Sequence, residues 1–115
     1  MRWAWRDGRV VLVTGSPGSR TIINTVLCIL VNVLDFDMDA RAAVDAPRLH
    51  HAWFPDEARF EGVSEFGNAV TQLRAMGHTV GDTRQGDAHT ILVDRNTGKY
   101  HGAADRRING KAAGY

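Results

Sequence analysis

Val10-Val11-Leu12-Val13-Thr14-Gly15-Ser16-Pro17-Gly18-Ser19-Arg20, followed directly by the apolar stretch Thr21–Leu34, decides how this chain is read. Arg9–Thr14 is a short apolar, β-branched run bounded by Asp7-Gly8 and Gly15, the pattern of a strand buried on both faces. Gly15–Arg20 then makes a tight turn, with Ser19 expected as N-cap of the helix that follows. The first N–H groups of such a helix have no carbonyl behind them, so they are free to meet an anion or a developing oxyanion. The same pattern also serves as a plain strand-to-helix turn with no ligand. The helix itself (Ile22, Ile23, Val26, Leu27, Ile29, Leu30, Val33, Leu34) is apolar nearly all round and should be covered on more than one side.

Working outward, Asp39 is placed to cap a short helix over Ala40–Asp45, which Pro47 must stop. Leu49–Phe54 and Glu57–Glu61 read as extended segments around a Pro55-Asp56 turn. Ser64 is expected to cap a helix to about Met76, with Phe66, Val70, Leu73 and Met76 on one stripe and Gly77 just past its end. His78–Thr83 reads as a strand, and Ala88–Asp94 with Lys99–Ala103 as a hairpin around Asn96-Thr97-Gly98. The order suggests an α+β fold, with helices on a largely antiparallel sheet. There is no internal repeat, low-complexity tract or linker, so residues 1–115 are expected to form a single partial domain.

Composition excludes several classes. Apolar residues make up 43% and charged residues 23%, a globular balance. The net charge of +1, with signs intermixed, gives no field to recruit nucleic acid or an anionic membrane. Ile22–Leu34 is shorter than the roughly 20 residues of a bilayer span and is interrupted by Asn24, Thr25 and Asn32. No apolar run of signal-peptide length opens the chain, and its compartment is left unassigned.

The titratable residues offer little chemistry by spacing alone. Cys28 is the single cysteine and is expected to be a buried structural thiol. His50 and His51 are neighbours on an extended segment, so they point to opposite faces and cannot readily share an ion. With His78, His89 and His101 they form no ligand spacing, so no metal site is expected. Thr14, Ser19 and Thr21 have no base beside them in sequence, and capping or core hydrogen bonds are expected of them. Asp45 and Arg48 are expected to pin the short helix, and Asp105-Arg106-Arg107 to be part of a solvated charged tail.

Four segments together carry a resemblance. They are Gly15-Ser16-Pro17-Gly18-Ser19-Arg20; Asn32-Val33-Leu34-Asp35-Phe36 with Ala43-Val44-Asp45-Ala46-Pro47-Arg48-Leu49-His50-His51; Met76-Gly77-His78; and Gly102-Ala103-Ala104-Asp105-Arg106-Arg107 before Ala112-Ala113-Gly114-Tyr115. In this order and at about this spacing, from roughly Asp7 onward, the chain resembles the C-terminal part of the small subunit of γ-glutamyltransferases (glutathione hydrolases). That resemblance implies part of an α-β-β-α sandwich of the N-terminal-nucleophile hydrolase type. It implies an acyl-enzyme reaction on γ-glutamyl compounds such as glutathione, by a threonine freed through self-cleavage whose own α-amine is the base. No cofactor is implied.

Several parts of that family's machinery have no match here. The threonine and the paired serines that hold the substrate's α-carboxylate would lie upstream of the loop, and Trp3-Ala4-Trp5 stands near where the serines would be. The family's loop reads Gly-Ser-Pro-Gly-Gly-Ser-Arg, one glycine longer than here, and its Asp-Pro-Arg lacks the proline in this chain. The oxyanion or substrate-binding candidates are therefore Gly15, Ser16, Gly18 and Ser19, with no catalytic nucleophile among them.

The expectation is a family fragment that supplies only the oxyanion-side loop and is inactive alone. Its partner would be the missing large subunit or N-terminal half, or a second copy. Whole members of the family are commonly periplasmic, extracellular or membrane-anchored. Two alternatives stand beside this one: a non-catalytic assembly or binding subunit docking on a partner chain, and a stand-alone module binding a small anion at the loop.

Overall fold

A computed structural model describes residues 1–114; Tyr115, the last residue of the terminal motif, lies outside the described residues. The chain runs β1 (Arg2–Arg6), β2 (Arg9–Gly15), α1 (Ile22–Leu34), α2 (Ala40–Asp45), β3 (Leu49–His51), β4 (Ala58–Phe60), α3 (Gly67–Ala75), β5 (Val80–Asp82), β6 (His89–Val93) and β7 (Tyr100–Ala104). Short 3₁₀ turns sit at Ser19–Thr21 and Arg106–Ile108. This is a mixed α+β fold with two sheets.

The main sheet is antiparallel throughout, in the order β1-β2-β6-β7. Its hairpin partners β6 and β7 fall close to the segments expected from the Asn96-Thr97-Gly98 turn. Strand β1 was not expected at all, because Arg2-Trp3-Ala4-Trp5-Arg6 carries two charges and no apolar run. It forms because Asp7 and Gly8 both take positive φ (52° and 73°), the geometry that turns a chain back into an antiparallel neighbour. Between Ala4 and Trp5 the register slips, leaving Val11 as an extra residue in β2. Val11 and Leu12 are therefore both buried, although they are consecutive.

One face of this sheet carries the core: Leu12, Ala88 and Ala103 meet Ile29 and Val33 of α1 and Ala40, Ala43 and Val44 of α2. Thr14 and Thr90, cross-strand partners, share a buried 2.8 Å hydrogen bond on the same face. The opposite face is open. Trp3, Val13, Ile91 and Gly102 stand in one cross-strand row, flanked by Trp5 and Tyr100. Trp3 and Trp5 are 59% and 64% exposed.

Helix α1 is covered on one side rather than several. Thr25, Val26, Ile29 and Val33 are buried, while Ile23, Leu27 and Leu34 are exposed. Its asparagines are structural ties: Asn24 donates to the Leu49 carbonyl at 3.0 Å and Asn32 to the Ala43 carbonyl at 3.2 Å. Cys28 is half-buried, not fully buried. Asp39 caps α2 as expected, its carboxylate accepting the Ala42 N–H at 2.8 Å.

The second sheet, β3-β4-β5, holds a parallel pair, β4 with β5, within an otherwise antiparallel arrangement of the described strands, as a largely antiparallel fold allows. A parallel pair needs a crossover, and α3 provides it. Ala58, Val70 and Val80 form a small separate core there, with Phe60, Val63 and Leu73 packed around it. Ser64 does not cap α3: the helix starts at Gly67 with Phe66 at its N-cap and no side-chain cap. Gly77 closes it with φ 93°, its N–H on the Arg74 carbonyl at 3.0 Å.

One-sided coverage of α1 makes a sharp prediction. Ile29→Ala should lower the unfolding free energy by about 2–5 kcal/mol, whereas Ile23→Ala should change it by no more than about 0.5 kcal/mol. Urea unfolding followed by far-UV circular dichroism measures both.

Candidate functional site

Strand β2 delivers its last residue, Gly15, opposite His89 at the start of β6. Beyond Gly15 the chain leaves the sheet. Ser16 Oγ donates to the Pro17 carbonyl at 2.6 Å and accepts the Asp87 N–H at 3.0 Å, so one hydroxyl pins the loop to the approach of β6. Gly18 has φ 131° and ψ 18°, a conformation suited to glycine. A Cβ on Gly18 would also lie 2.6 Å from Thr21 Oγ1, so this position is doubly restricted to glycine.

Ser19 does not cap the helix. It has φ 54° and opens the 3₁₀ turn that leads into α1. The capping position of α1 is Thr21, which has no side-chain cap; its hydroxyl instead donates to the Gly18 carbonyl at 3.0 Å. The turn is closed by Thr21 N–H to the same carbonyl at 3.1 Å, so the N–H groups of Gly18 and Ser19, which precede it, are not spent on the turn. Two consecutive positive-φ residues thus stand at the entrance of an apolar helix, and only the first is glycine.

The other tempting side chains have structural work. Thr14 is bonded to Thr90 in the core. His50 is buried and His51 exposed, as their alternation on β3 requires. Burial pushes the His50 ring's pKa down, and the nearby positive charge of His51 and Arg59 adds to that. His51 reaches Asp56 at 3.1 Å. Among the described residues no group of three or more His, Cys, Asp or Glu stands close enough to hold a metal ion. No helix among them is long and apolar enough to cross a membrane.

The expected solvated tail at Asp105–Arg107 is instead a buried anchor. Arg48 and Asp105 are both fully buried and paired at 2.8 Å. Asp105 also accepts the Ala88 N–H at 2.9 Å and the Arg107 N–H at 3.0 Å. Arg48 donates to the Val44 carbonyl at 2.8 Å and the Gln85 carbonyl at 2.7 Å. Arg107 donates to the carbonyls of Val44 and Ala46, and its guanidinium pairs with Glu61. Glu61 in turn accepts the backbone N–H of Arg48 and of Gln85. Only Arg106 behaves as foreseen, exposed and paired with Asp45. Sequence spacing did not reveal this cluster because its four charges come from three separate segments.

Two residues at the loop were also missed. Asp87 and His89 lie two apart beside Gly15 and Ser16, and Asp87 Oδ2 meets His89 Nε2 at 3.1 Å. Their spacing, i and i+2 where a strand begins, was the available clue.

Comparison with known proteins agrees with this geometry. Residues 3–115 match the family described as Gamma-glutamyltranspeptidase. The glutathione hydrolase proenzyme of Escherichia coli (strain K12) is 41% identical over 113 residues, which cover 96% of this chain and 19% of that protein. An acivicin-inhibited gamma-glutamyltranspeptidase, whose C-terminus has critical roles in its autoprocessing and catalysis, superposes with a TM-score of 0.86 at 35% identity. That match covers 95% of this chain and 60% of the other. A Helicobacter pylori gamma-glutamyltranspeptidase mutant gives the same TM-score at 36% identity, over 92% and 59%. The chain thus spans about a fifth of the length of the curated relative it matches.

The buried cluster sets a pH dependence. Burial pushes the Asp105 carboxyl up, but hydrogen bonds from the Ala88 and Arg107 N–H groups and the Arg48 guanidinium outweigh it and hold the pKa at about 2, below the usual 3.8. A depressed acid stabilises the fold fully above pH 3.8 and loses that contribution as pH falls towards 2. The loss should amount to about 2 kcal/mol, read from urea midpoints between pH 5 and pH 2. At neutral pH, Arg48→Ala and Asp105→Ala should each cost about 3–5 kcal/mol, and the double variant should cost less than their sum.

Proposed function

This chain belongs to the gamma-glutamyltranspeptidase family, and from that premise we propose that Gly15, Ser16, Gly18 and Ser19 form the oxyanion-side loop of a γ-glutamyl-transferring enzyme. Residues 1–115 act, in this reading, as a single partial domain that contributes this loop and has no turnover alone. The attack on a γ-glutamyl amide such as glutathione would come from a threonine on another segment, giving an acyl-enzyme that water or an amine resolves. The loop's share is to meet the oxygen of the tetrahedral intermediate with N–H groups fixed in advance.

The observation that carries this reading is the run of two positive-φ residues, Gly18 and Ser19, at the entrance of α1. Such a path costs an L-residue about 1–2 kcal/mol, and the strain has a purpose if the backbone must approach a carbonyl. Serine at the second place is a departure from the family's paired glycines. It narrows the approach and should weaken the enzyme.

The open face of the main sheet supports the same reading, because a row of Trp3, Val13 and Ile91 is what a second sheet would cover. The natural occupant is the remainder of a family protein. A purely structural docking role shares this observation, and activity separates the two readings.

The test is complementation. The chain alone should release no nitroaniline from γ-glutamyl-p-nitroanilide above a boiled control. Mixed or co-expressed with the Escherichia coli proenzyme lacking its matching segment, it should restore turnover about 10²–10³-fold below the intact relative. Ser19→Gly, or a glycine inserted between Gly18 and Ser19, should raise that turnover. A stable complex without turnover in any variant would leave the docking role standing and remove the catalytic one.

A further inference from the structure

Away from the glycine loop's chemistry, the turn between β3 and β4 carries the two most exposed aromatic side chains among the described residues. Trp53 is 88% exposed and Phe54 78%. Trp53 also has φ 70°, a left-handed conformation that is strained for a bulky residue. His51 supplies what holds it there. Its Nδ1 accepts the Trp53 N–H at 3.1 Å, and its Nε2 stands 3.1 Å from Asp56 Oδ1. Between His51 and Ala58 the only other backbone hydrogen bond among the described residues runs from Glu57 N–H to the Pro55 carbonyl, at 2.9 Å. One ring thus ties both ends of the aromatic tip.

These two contacts fix the protonation state of the ring. A backbone N–H only donates, so the nitrogen facing Trp53 must keep its lone pair. An ionised carboxylate only accepts, so the nitrogen facing Asp56 carries the hydrogen. The neutral Nε2–H tautomer alone satisfies both. A second proton goes on Nδ1, sets one N–H against another, and abolishes the Trp53 bond. Asp56 still accepts from Nε2 in that state. Its side chain is 93% exposed, however, and so wet an ion pair contributes little.

Few other charges reach the ring. Its cross-strand partner on β4, Ala58, carries none, and the flanking Glu57 and Arg59 pair with each other at 3.1 Å. His50 points to the opposite face of β3. Helix α1, whose Asn24 and Cys28 reach the Leu49 carbonyl, has no charged residue from Ile22 to Leu34. His78, just before β5, meets the His51 ring edge-on with centroids 6.5 Å apart. It is the one neighbour that titrates with imidazole chemistry on this face, so the test must separate the two.

We propose that His51 is a proton-operated latch: the neutral ring holds the Trp53-Phe54 tip in its left-handed turn, and the protonated ring releases it. The proton comes from solvent onto Nδ1, and the freed Trp53 N–H turns to water. The two sheets stay folded while the aromatic pair moves. The latch uses no residue of Gly15–Arg20, so it stands or falls independently of the γ-glutamyl reading.

Nuclear magnetic resonance of the isotope-labelled chain at pH 8 and pH 5 tests each part. Both values lie above the range in which Asp105 loses its charge. At pH 8 the His51 ring should carry hydrogen on Nε2, and the Trp53 amide should be as rigid as the core, with an order parameter of about 0.85. Towards pH 5, across the range in which imidazoles take up a proton, that value should fall below about 0.6. The fall should track the His51 ring signals, while the amides of Ile29 and Val33 stay rigid. His51→Phe should leave the tip mobile at both pH values, and His78→Phe should leave the transition in place. Asp56→Asn, which keeps an acceptor for Nε2–H but loses the charge, should move the midpoint to lower pH; it serves as the second variant should His51→Phe not fold.

Hydrogen on Nδ1 at pH 8, or a Trp53 equally rigid at both pH values, would overturn the proposal. So would a transition that survives His51→Phe, one that vanishes in His78→Phe, or a midpoint that rises in Asp56→Asn. Loosening of Ile29 and Val33 together with the tip would also overturn it, because that is general unfolding and not a latch.

Discussion

Arg48, Glu61, Asp105 and Arg107 are the constraint on which the rest of the structure depends. Two guanidinium groups and two carboxylates cancel in charge, and between them they reach α2, the segment before β3, the end of β4, the approach to β6 and the turn after β7. Burying any one of these ions alone would be prohibitive; burying the set works because nearly every donor finds an acceptor. The helix α2 gains as well. Its last carbonyls face two cations, which suits the negative end of its dipole. With separate cores in the two sheets, this polar cluster, together with the Asn24 bond to Leu49, holds them in one orientation.

The loop inherits its geometry from that cluster. Ala88 donates to Asp105, and the adjoining Asp87 donates to Ser16. The C-terminal turn and the glycine loop are thus linked by two consecutive backbone N–H groups. Gly110 keeps the turn tight, since a Cβ there would lie 2.7 Å from the Asp105 carbonyl oxygen. A relative whose C-terminus has critical roles in autoprocessing and catalysis makes sense in these terms.

Much of this was legible in the sequence where local physics dominates. Asp39 capping α2, Pro47 ending it and Gly77 closing α3 depend on one or two residues each. The β6–β7 hairpin follows from its turn. Strand β1 was not legible, because Arg2, Arg6 and two tryptophans give no buried periodicity; the sheet, not the strand, decides its state. Ser64 and Ser19 misled because a serine before an apolar run looks like a cap, whereas Ser19 is held in a left-handed turn and Ser64 lies short of the helix. The charged tail misled most. Asp105 and Arg107 look solvated until their partners arrive from more than forty residues away.

The extra residue in β2 has one more effect. Because Val11 and Leu12 both turn inward, β2 cannot slide past β1 or β6 without dragging a large side chain across the sheet. The strand is a ruler of fixed length between Gly8 and Gly15. An insertion or deletion inside it would swap Gly15 for another residue opposite His89 and unhook Ser16. The same change at the Asn96–Gly98 bend would be absorbed in solvent, so the two ends of this one sheet tolerate altered chain length very differently.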